Sequence, residues 1–192
     1  PGYARPMASM VVLLRGINLG PSKRVAMPAL RDALSDAGFE NPRTYAQSGN
    51  IVLESDMDWS ALEDRVEGLI AEHFSLTVPV VALSGRELAR VVEGNPFPEL
   101  AQRNPKLFQV TFLRGRFDPR AAAERLSALA GENERVAVGE SEIYAWHAYG
   151  IDRSKLALKL GGKDGVGKDV TPTSRNWTTV LTRLEMAAGD AG

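Results

Sequence analysis

The stretch MVVLLRGINLGPSK, residues 10–23, decides how the rest of the chain is interpreted. Its apolar residues are typical of a central β-strand, and we predict a strand over residues 10–15. The apolar run ends at Arg15, and small and polar residues follow as far as Lys23. A buried strand that runs into such a loop often leads to a functional site. We therefore predict that Arg15, Asn18 and Lys23 belong to a ligand-binding loop.

The composition excludes several classes of protein. The 192 residues carry 23 Lys plus Arg against 24 Asp plus Glu, so no overall positive field attracts nucleic acid or an anionic membrane. The absence of cysteine excludes disulfides and thiolate metal sites, and it suits a reducing cytoplasm. No apolar run approaches the roughly 18 residues of a membrane span. We expect a soluble cytoplasmic protein, whose oligomeric state the sequence leaves open.

The elements that follow the loop have the order of a ferredoxin-like unit. Apolar residues at helical spacing begin at Met27, and a second amphipathic helix begins at Asp56 or Asp58. Three further strands are predicted, over residues 43–47, 51–54 and 78–83. This βαββαβ order predicts a four-stranded antiparallel sheet with both helices on one face.

The predicted topology brings a second polar segment to the loop. Consecutive elements alternate in direction, so the hairpin turn between the second and third strands lies at the edge where the first strand ends. Ser48 and Asn50 occupy this turn, and Gln47 ends the strand before it. We therefore predict that these three side chains approach the polar residues of the loop.

The second half of the chain repeats this order. A capping box, Ser84–Glu87, opens a linking helix. A strand, a helix introduced by Asp118 and two more strands follow, the strands over residues 107–114, 135–138 and 143–149. The segment VTFLRGRFDP in the first of these strands echoes VVLLRGINLG of the first half, which favours a duplicated unit.

We predict an α+β protein of two ferredoxin-like halves with antiparallel sheets and a helical C-terminus. That C-terminus comprises a short helix over residues 154–160, a glycine-rich loop and a final helix. The predicted parts, in chain order, are an extension or expression remnant (1–9), the N-terminal ferredoxin-like half (10–84), a linking helix and Pro-rich loop (85–106) and the C-terminal α+β half (107–188).

Four motifs resemble the DUF1697 family of bacterial proteins. They are LLRGINLG at 13–20, TYAQSGNIV at 44–52, NPF at 95–97 and RNWTTV at 175–180. The resemblance spans about residues 9–186 and implies an α+β architecture with ferredoxin-like halves. It implies no function, because the family is named for lacking one. The commonest form of the family has Val in place of Leu19 and Gly in place of Pro21, a difference that leaves the polar groups of the loop intact.

Two interpretations of the loop and hairpin remain open. Gly and Asn are the usual turn residues, and Arg15 suits a structural ion pair. The same groups suit a phosphate- or carboxylate-bearing ligand, because Arg15 can bind it bidentately and Lys23 adds charge. Ser48 and Asn50 would then orient the ligand or a water. A nucleophilic role for Ser48 is disfavoured, since the G-x-S-x-G context is missing.

The motif at the final helix carries a second candidate pair. We predict that Thr173 or Ser174 caps this helix, which places Arg175 and Asn176 in its first turn. A cation there opposes the helix dipole, so Arg175 is expected to meet a carboxylate or a bound anion. Trp177 is expected in the core.

Other apparent motifs are given structural interpretations. The segment 162–168 fits G-x-x-x-x-G-K, but Asp169 replaces the Ser or Thr that would hold magnesium, and we predict a flexible loop. His73 is predicted to be a partly buried helical residue. His147 lies in a predicted strand without a second ligand at metal-binding spacing, so no metal and no cofactor are predicted. The aromatic residues nearby, which strand pairing explains as well as a stacking platform does, are Tyr144, Trp146 and Tyr149.

Three functions follow from these candidates. The leading hypothesis is binding of a small anionic ligand, a nucleotide included, at the loop and hairpin. The second is phosphate-ester or acyl-phosphate hydrolysis, by analogy with acylphosphatases, which share the βαββαβ order and use a loop arginine with an asparagine. The third is RNA binding of the RRM type, which ranks last because the third strand lacks the stacking aromatics.

Overall fold

The computed structural model describes residues 6–20, 23–160 and 163–189. This part of the chain forms two compact units, one that ends at Ala89 and resumes at Arg183, and one that spans Arg90–Thr182. Each unit contains one four-stranded antiparallel sheet. The α+β class and the two ferredoxin-like halves are thereby confirmed.

The first unit has the βαββαβ order with the strands arranged β2-β3-β1-β4. Its elements are β1 (Ala8–Leu14), α1 (Met27–Asp36), β2 (Glu40–Tyr45), β3 (Asn50–Ser55), α2 (Trp59–Phe74) and β4 (Val80–Ser84). Alternate residues of the central strands, such as Val12 and Leu53, form one hydrophobic core with Leu30 of α1 and Val66 of α2. Both helices therefore cover the same face of the sheet, as the order predicts.

Local signals place the ends of these helices. Pro28 lies in the first turn of α1, where its missing N–H has no helical partner to lose. Asp58 caps α2 by accepting a hydrogen bond from the N–H of Ala61 at 2.9 Å. Ser84 and Glu87 form the predicted capping box, in which Ser84 accepts from the Glu87 N–H at 3.1 Å and the carboxylate accepts from the Ser84 N–H at 2.7 Å.

The remaining elements begin with α3 (Gly85–Glu93), which starts in the first unit and ends in the second. The others are α4 (Pro98–Arg103), β5 (Phe108–Arg114), α5 (Pro119–Leu129), β6 (Arg135–Val138), β7 (Glu142–Trp146), α6 (Lys155–Leu160), α7 (Lys163–Val166), β8 (Thr171–Asn176) and α8 (Trp177–Ala188). The sheet of the second unit has the order β6-β7-β5-β8, the same arrangement as in the first unit. Helix α8 begins in the second unit and ends in the first.

In three segments the type of secondary structure differs from the sequence prediction. The Pro-rich connection contains α4, which begins at Pro98 because proline suits the first helical turn. The glycine-rich segment predicted as a flexible loop contains the short helix α7, while residues 161 and 162 lie outside the described residues. Arg175 and Asn176 belong to β8 rather than to the first turn of the last helix, because residues 171–176 pair with β5.

None of the helices in the described ranges is both long enough and apolar enough to cross a membrane. The segment PGYARP, predicted to lie outside the fold, falls outside the described residues as far as residue 5. Strand β1 begins at Ala8, two positions before the predicted strand.

Candidate functional site

The loop after β1 and the hairpin turn between β2 and β3 are joined by hydrogen bonds. The N–H of Leu14 donates to the carbonyl of Gly49 at 2.8 Å. The side-chain amide of Asn18 donates to the carbonyl of Gln47 at 2.7 Å. The two polar segments predicted to share one edge of the sheet therefore lie side by side.

Asn18 closes the loop through both ends of its carboxamide. The residue has a positive φ of 55°, a conformation that Asn tolerates better than most residues. Its Nδ2 also donates to the carbonyl of Val25 at 3.0 Å, and its Oδ1 accepts from the Val25 N–H at 3.0 Å. Both N–H donors are thus used within the protein. Asn18 positions the loop, and its side chain supplies no donor to a ligand.

The hairpin turn needs glycine at position 49. Gly49 has a φ of +67°, and a Cβ atom there would lie 2.7 Å from Cβ of Leu14 and 2.8 Å from Cδ1 of Ile17. The next residue, Asn50, is fully buried and donates from Nδ2 to the hydroxyl of Ser48 at 2.8 Å. Gly49 and Asn50 therefore serve the close packing of the turn against the loop, while Gln47 and Ser48 are exposed.

The charges on these two segments are all positive. Arg15 is half-buried, and Lys23 and Arg24 are exposed. The sequence contains no carboxylate between Arg15 and Arg31, and none from residue 41 to residue 53. Since a guanidinium has five N–H donors, Arg15 can bind an anion while it keeps a contact within the protein. The described residues 15–20, 23, 24 and 46–50 therefore form an edge whose charged side chains are all cations, and we call it the loop–hairpin edge.

Arg175 and Asn176 perform structural roles in the second unit. Arg175 donates from Nη1 to the Thr173 hydroxyl at 3.0 Å and to the Ser174 carbonyl at 2.9 Å. The side chain of Asn176 accepts from the N–H of Thr179 at 2.9 Å. Asn176, rather than Thr173 or Ser174, is therefore the residue that caps α8.

The predicted core position of Trp177 is confirmed. Trp177 is 7% exposed. Its ring meets that of Phe108 edge to face, with centroids 5.4 Å apart and an angle of 84° between the ring planes.

His147 has a carboxylate partner that the sequence interpretation missed. Its Nδ1 lies 3.1 Å from Oε1 of Glu134 and 3.0 Å from the hydroxyl of Ser154. Ser154 also donates to Glu134 and caps α6 by accepting from the Ala157 N–H at 2.9 Å. The β6–β7 hairpin was the available signal, because its pairing of Arg135 with Trp146 sets residue 134 opposite residue 147.

The Glu134–His147–Ser154 cluster is a structural cluster and not a catalytic triad. Serine and carboxylate meet the same ring nitrogen of His147, so the ring cannot pass a proton from one to the other. Burial lowers the pKa of His147, although Glu134 opposes this effect. Burial acts to raise the pKa of Glu134, but hydrogen bonds from Ser154, the Gly131 N–H and His147 outweigh it, and the pKa lies below its usual value.

The other histidine is more open to solvent than predicted. His73 is exposed rather than partly buried, and its Nδ1 lies 3.0 Å from the carbonyl of Leu69 one helical turn earlier. The described residues contain no group of three or more His, Asp or Glu side chains arranged to hold a metal ion.

These features define an α+β protein with two ferredoxin-like units and a cationic loop–hairpin edge. The chain belongs to the DUF1697 family, whose model, described as a protein of unknown function, matches residues 7–144. The predicted family is thereby confirmed, and the match includes the motifs at 13–20, 44–52 and 95–97, whereas the motif at 175–180 lies outside it.

The fold of this chain is similar to that of a solved structure. The conserved bacterial protein SP0830 from Streptococcus pneumoniae matches with a TM-score of 0.76 at 22% sequence identity. The match covers 95% of this chain and 99% of that chain. No curated protein matches the sequence significantly. The comparisons therefore establish the family and the fold, and they assign no ligand or reaction.

Proposed function

We propose that the protein binds a small anionic ligand, one that bears a phosphate or carboxylate group, at the loop–hairpin edge. The observation that carries this proposal is the 2.7 Å hydrogen bond from Asn18 to the carbonyl of Gln47. It holds the cation-bearing loop against the exposed turn, and this supports a shared site for Arg15, Lys23 and Ser48. An anion there gains charge-assisted hydrogen bonds from at least two elements of the chain.

The backbone of the loop supports the same proposal. Asn18 has a positive φ of 55°, a conformation that few residues other than glycine adopt. Residues in sparsely populated backbone conformations cluster at ligand sites, where surrounding contacts hold them in place. The three hydrogen bonds of the Asn18 side chain supply such contacts, and they present the loop cations in a preorganised arrangement.

Binding is favoured over hydrolysis by the position of Asn50. The acylphosphatase analogy needs an asparagine that orients the attacking water, and Asn50 is fully buried with its Nδ2 on Ser48. Binding is also favoured over RNA recognition. Val11 and Val52 pair on the face of the sheet opposite the helices, where an RNA-binding sheet carries aromatic side chains.

A thermal-shift panel of inorganic phosphate, citrate, benzoate, AMP and ATP tests the proposal. An anion present at a hundred times its Kd stabilises the fold by about 2.7 kcal/mol. For a chain of this size that corresponds to a rise in Tm of roughly 5–11 °C. The Arg15→Gln variant should bind the same anion at least tenfold more weakly, since a hydrogen bond to a charged group contributes about 1.5–3 kcal/mol.

The matched control is Arg65→Gln, which removes one exposed cation from α2 of the same unit. This variant should keep the affinity of the wild-type protein. The proposal is wrong if no anion shifts Tm, or if Arg15→Gln and Arg65→Gln weaken binding equally.

A further inference from the structure

The second unit contains a pocket that is separate from the loop–hairpin edge. Its volume is about 540 Å³, and all of its lining residues lie between Leu100 and Tyr149. They come from the end of α4, the segment before β5, the start of β6 and the end of β7. Volumes of about 300–1,000 Å³ are typical of small-molecule sites. We call this cavity the α4–β7 pocket.

The charge of the α4–β7 pocket is positive. Arg103 and Arg135 line it, and the other polar lining residues are Asn104, Asn133 and Tyr149, so the lining contains no carboxylate from the part of the chain that the structure describes. Two guanidinium groups in a lining that includes no Asp or Glu favour a phosphate or carboxylate group.

The walls of the pocket also provide flat and apolar surfaces. The indole of Trp146 and the phenol of Tyr149 line it together with Leu100 and Leu107. Tyr149 is 70% exposed and stands at the rim, whereas Trp146 is only 7% exposed and forms part of the wall. Aromatic rings and arginine side chains both stack on planar ligands. These surfaces suit a ligand that has a planar ring as well as an anionic group.

Hydrogen bonds hold the pocket in this shape. Arg135 donates from Nη1 to the carbonyls of Glu132 at 3.0 Å and of Glu134 at 2.6 Å. Asn133 donates to the Tyr149 hydroxyl at 2.9 Å. Arg135 and Trp146 are directly opposite each other in the β6–β7 hairpin, so one cation and one ring border the same end of the cavity.

The Glu134–His147–Ser154 cluster supports the segments that carry the pocket lining. Glu134 lies between the lining residues Asn133 and Arg135 in sequence, and His147 lies between Trp146 and Ala148. The contact of 3.1 Å between Glu134 and His147 therefore ties together the two strand segments that carry the lining. Such support fixes side chains for binding before the ligand arrives.

We propose that the α4–β7 pocket binds a planar aromatic or heterocyclic ring that bears a phosphate or carboxylate group. Arg103 and Arg135 hold the anionic group, and Trp146 and Tyr149 contact the ring. An aromatic carboxylate and a nucleoside monophosphate share this chemistry, and the experiment below distinguishes them. The inference does not depend on the loop–hairpin edge, because the two surfaces have no residue in common.

Two-dimensional NMR of the indole N–H groups tests this inference. The signal of Trp146 is assigned by the Trp146→Phe variant, and the full-length protein is titrated with AMP, benzoate, adenosine and inorganic phosphate. AMP or benzoate should shift the Trp146 signal saturably, and whichever binds more tightly identifies the source of the ring. Adenosine lacks the charge and phosphate lacks the ring, so each should bind at least tenfold more weakly than the tighter-binding of AMP and benzoate.

Substitutions of single arginines test which guanidinium groups hold the anionic group of the ligand. Arg103→Gln removes an exposed guanidinium from the end of α4 and should weaken binding of the ring-bearing anion at least tenfold. Arg125→Gln removes an exposed cation from α5, outside the pocket lining, and should leave the affinity unchanged. Arg135→Gln should also weaken binding, but its contacts with backbone carbonyls make Arg103 the cleaner probe.

The outcomes separate this inference from the proposed function. The inference is overturned if neither AMP nor benzoate shifts the Trp146 signal, if adenosine binds as tightly as the tighter-binding of AMP and benzoate, or if Arg103→Gln has no effect. Arg15→Gln should leave the Trp146 titration unchanged. If the Trp146 signal titrates as expected but Arg15→Gln has no effect on anion binding, only the loop–hairpin proposal is contradicted.

Discussion

Gly16 and Gly49 both have a φ of +67°. A comparison of alanine substitutions at the two positions therefore separates the cost of backbone strain from the cost of steric overlap. A Cβ atom at Gly16 would meet no atom within 4 Å, whereas one at Gly49 would overlap Leu14 and Ile17. Gly16→Ala should lower the free energy of unfolding by about 1–2 kcal/mol, the penalty of a left-handed conformation for a residue with a Cβ atom.

Gly49→Ala should lower the free energy of unfolding further than Gly16→Ala does. Overpacking of a closely fitted site adds about 1–3 kcal/mol to the conformational penalty. Urea unfolding of both variants, with unchanged m-values, measures the difference. Equal losses for the two variants would contradict the requirement for close contact between the turn and the loop.

At the scale of the element, the C-terminal half of α8 is attached to β2 of the same unit. Arg183 is 1% exposed, and its guanidinium carbon lies 4.0 Å from the ring centroid of Tyr45. Arg43 of β2 donates from Nη2 to the carbonyl of Met186 at 2.7 Å. Burial lowers the pKa of Arg183 to about 10, an effect that Tyr45 opposes, so Arg183 keeps its charge at neutral pH.

The cation–π contact should contribute measurably to the stability of this attachment. Tyr45→Leu removes the ring face and should destabilise the protein by about 1–2 kcal/mol, the range expected for a partly desolvated cation–π pair. Tyr45→Phe keeps the ring and should lose less than half of that amount. Urea unfolding measures both variants, and hydrogen exchange of the α8 amides should accelerate in Tyr45→Leu. Similar effects of the Leu and Phe substitutions would show that the ring face makes no special contribution.

At the scale of the whole molecule, local chemistry made the element order predictable. Asp58, Ser84 and Asp118 are caps whose side chains act within three residues of the chain. The periodic apolar residues of the strands and long helices are also local signals. Strand β8 was missed because its sequence, TPTSRN, has no apolar alternation and becomes a strand only through pairing with β5. Tertiary contacts override local propensity there.

The position of the candidate site could be predicted from the sequence, but the hydrogen-bond partners and the burial of its residues could not. The topology alone indicated that Gln47 and Asn18 approach each other. The sequence did not reveal that the amide donors of Asn18 are used by two backbone carbonyls, or that Asn50 is fully buried. Glu134 and Ser154 were missed as partners of His147 because they lie 13 and 7 positions away, in irregular segments.

The buried histidine should make the stability of the fold depend on pH. Burial lowers the pKa of His147 below its usual value of 6.5. Its Nε2 is buried and has no hydrogen-bond partner within the described part of the chain. Protonation would therefore create a buried N–H donor without an acceptor, which disfavours the charged form in the folded state.

The sign of the pH effect follows from proton linkage. Below about pH 6.5 the unfolded chain binds a proton at His147 that the folded chain does not bind, so the free energy of unfolding falls as pH is lowered. For one such group the loss reaches at most about 1.4 kcal/mol at pH 5.5. The lowered pKa of Glu134 acts in a separate pH window, where stability is lost as pH falls below the usual carboxyl pKa of 4.5.

Urea unfolding between pH 7.5 and 5.5 should show the histidine effect. His147→Gln should remove this effect, while the exposed control His73→Gln should keep it. NMR titration of the wild-type His147 ring supplies a readout that needs no substitution, and a midpoint at or above 6.5 would contradict the assignment of a neutral buried imidazole.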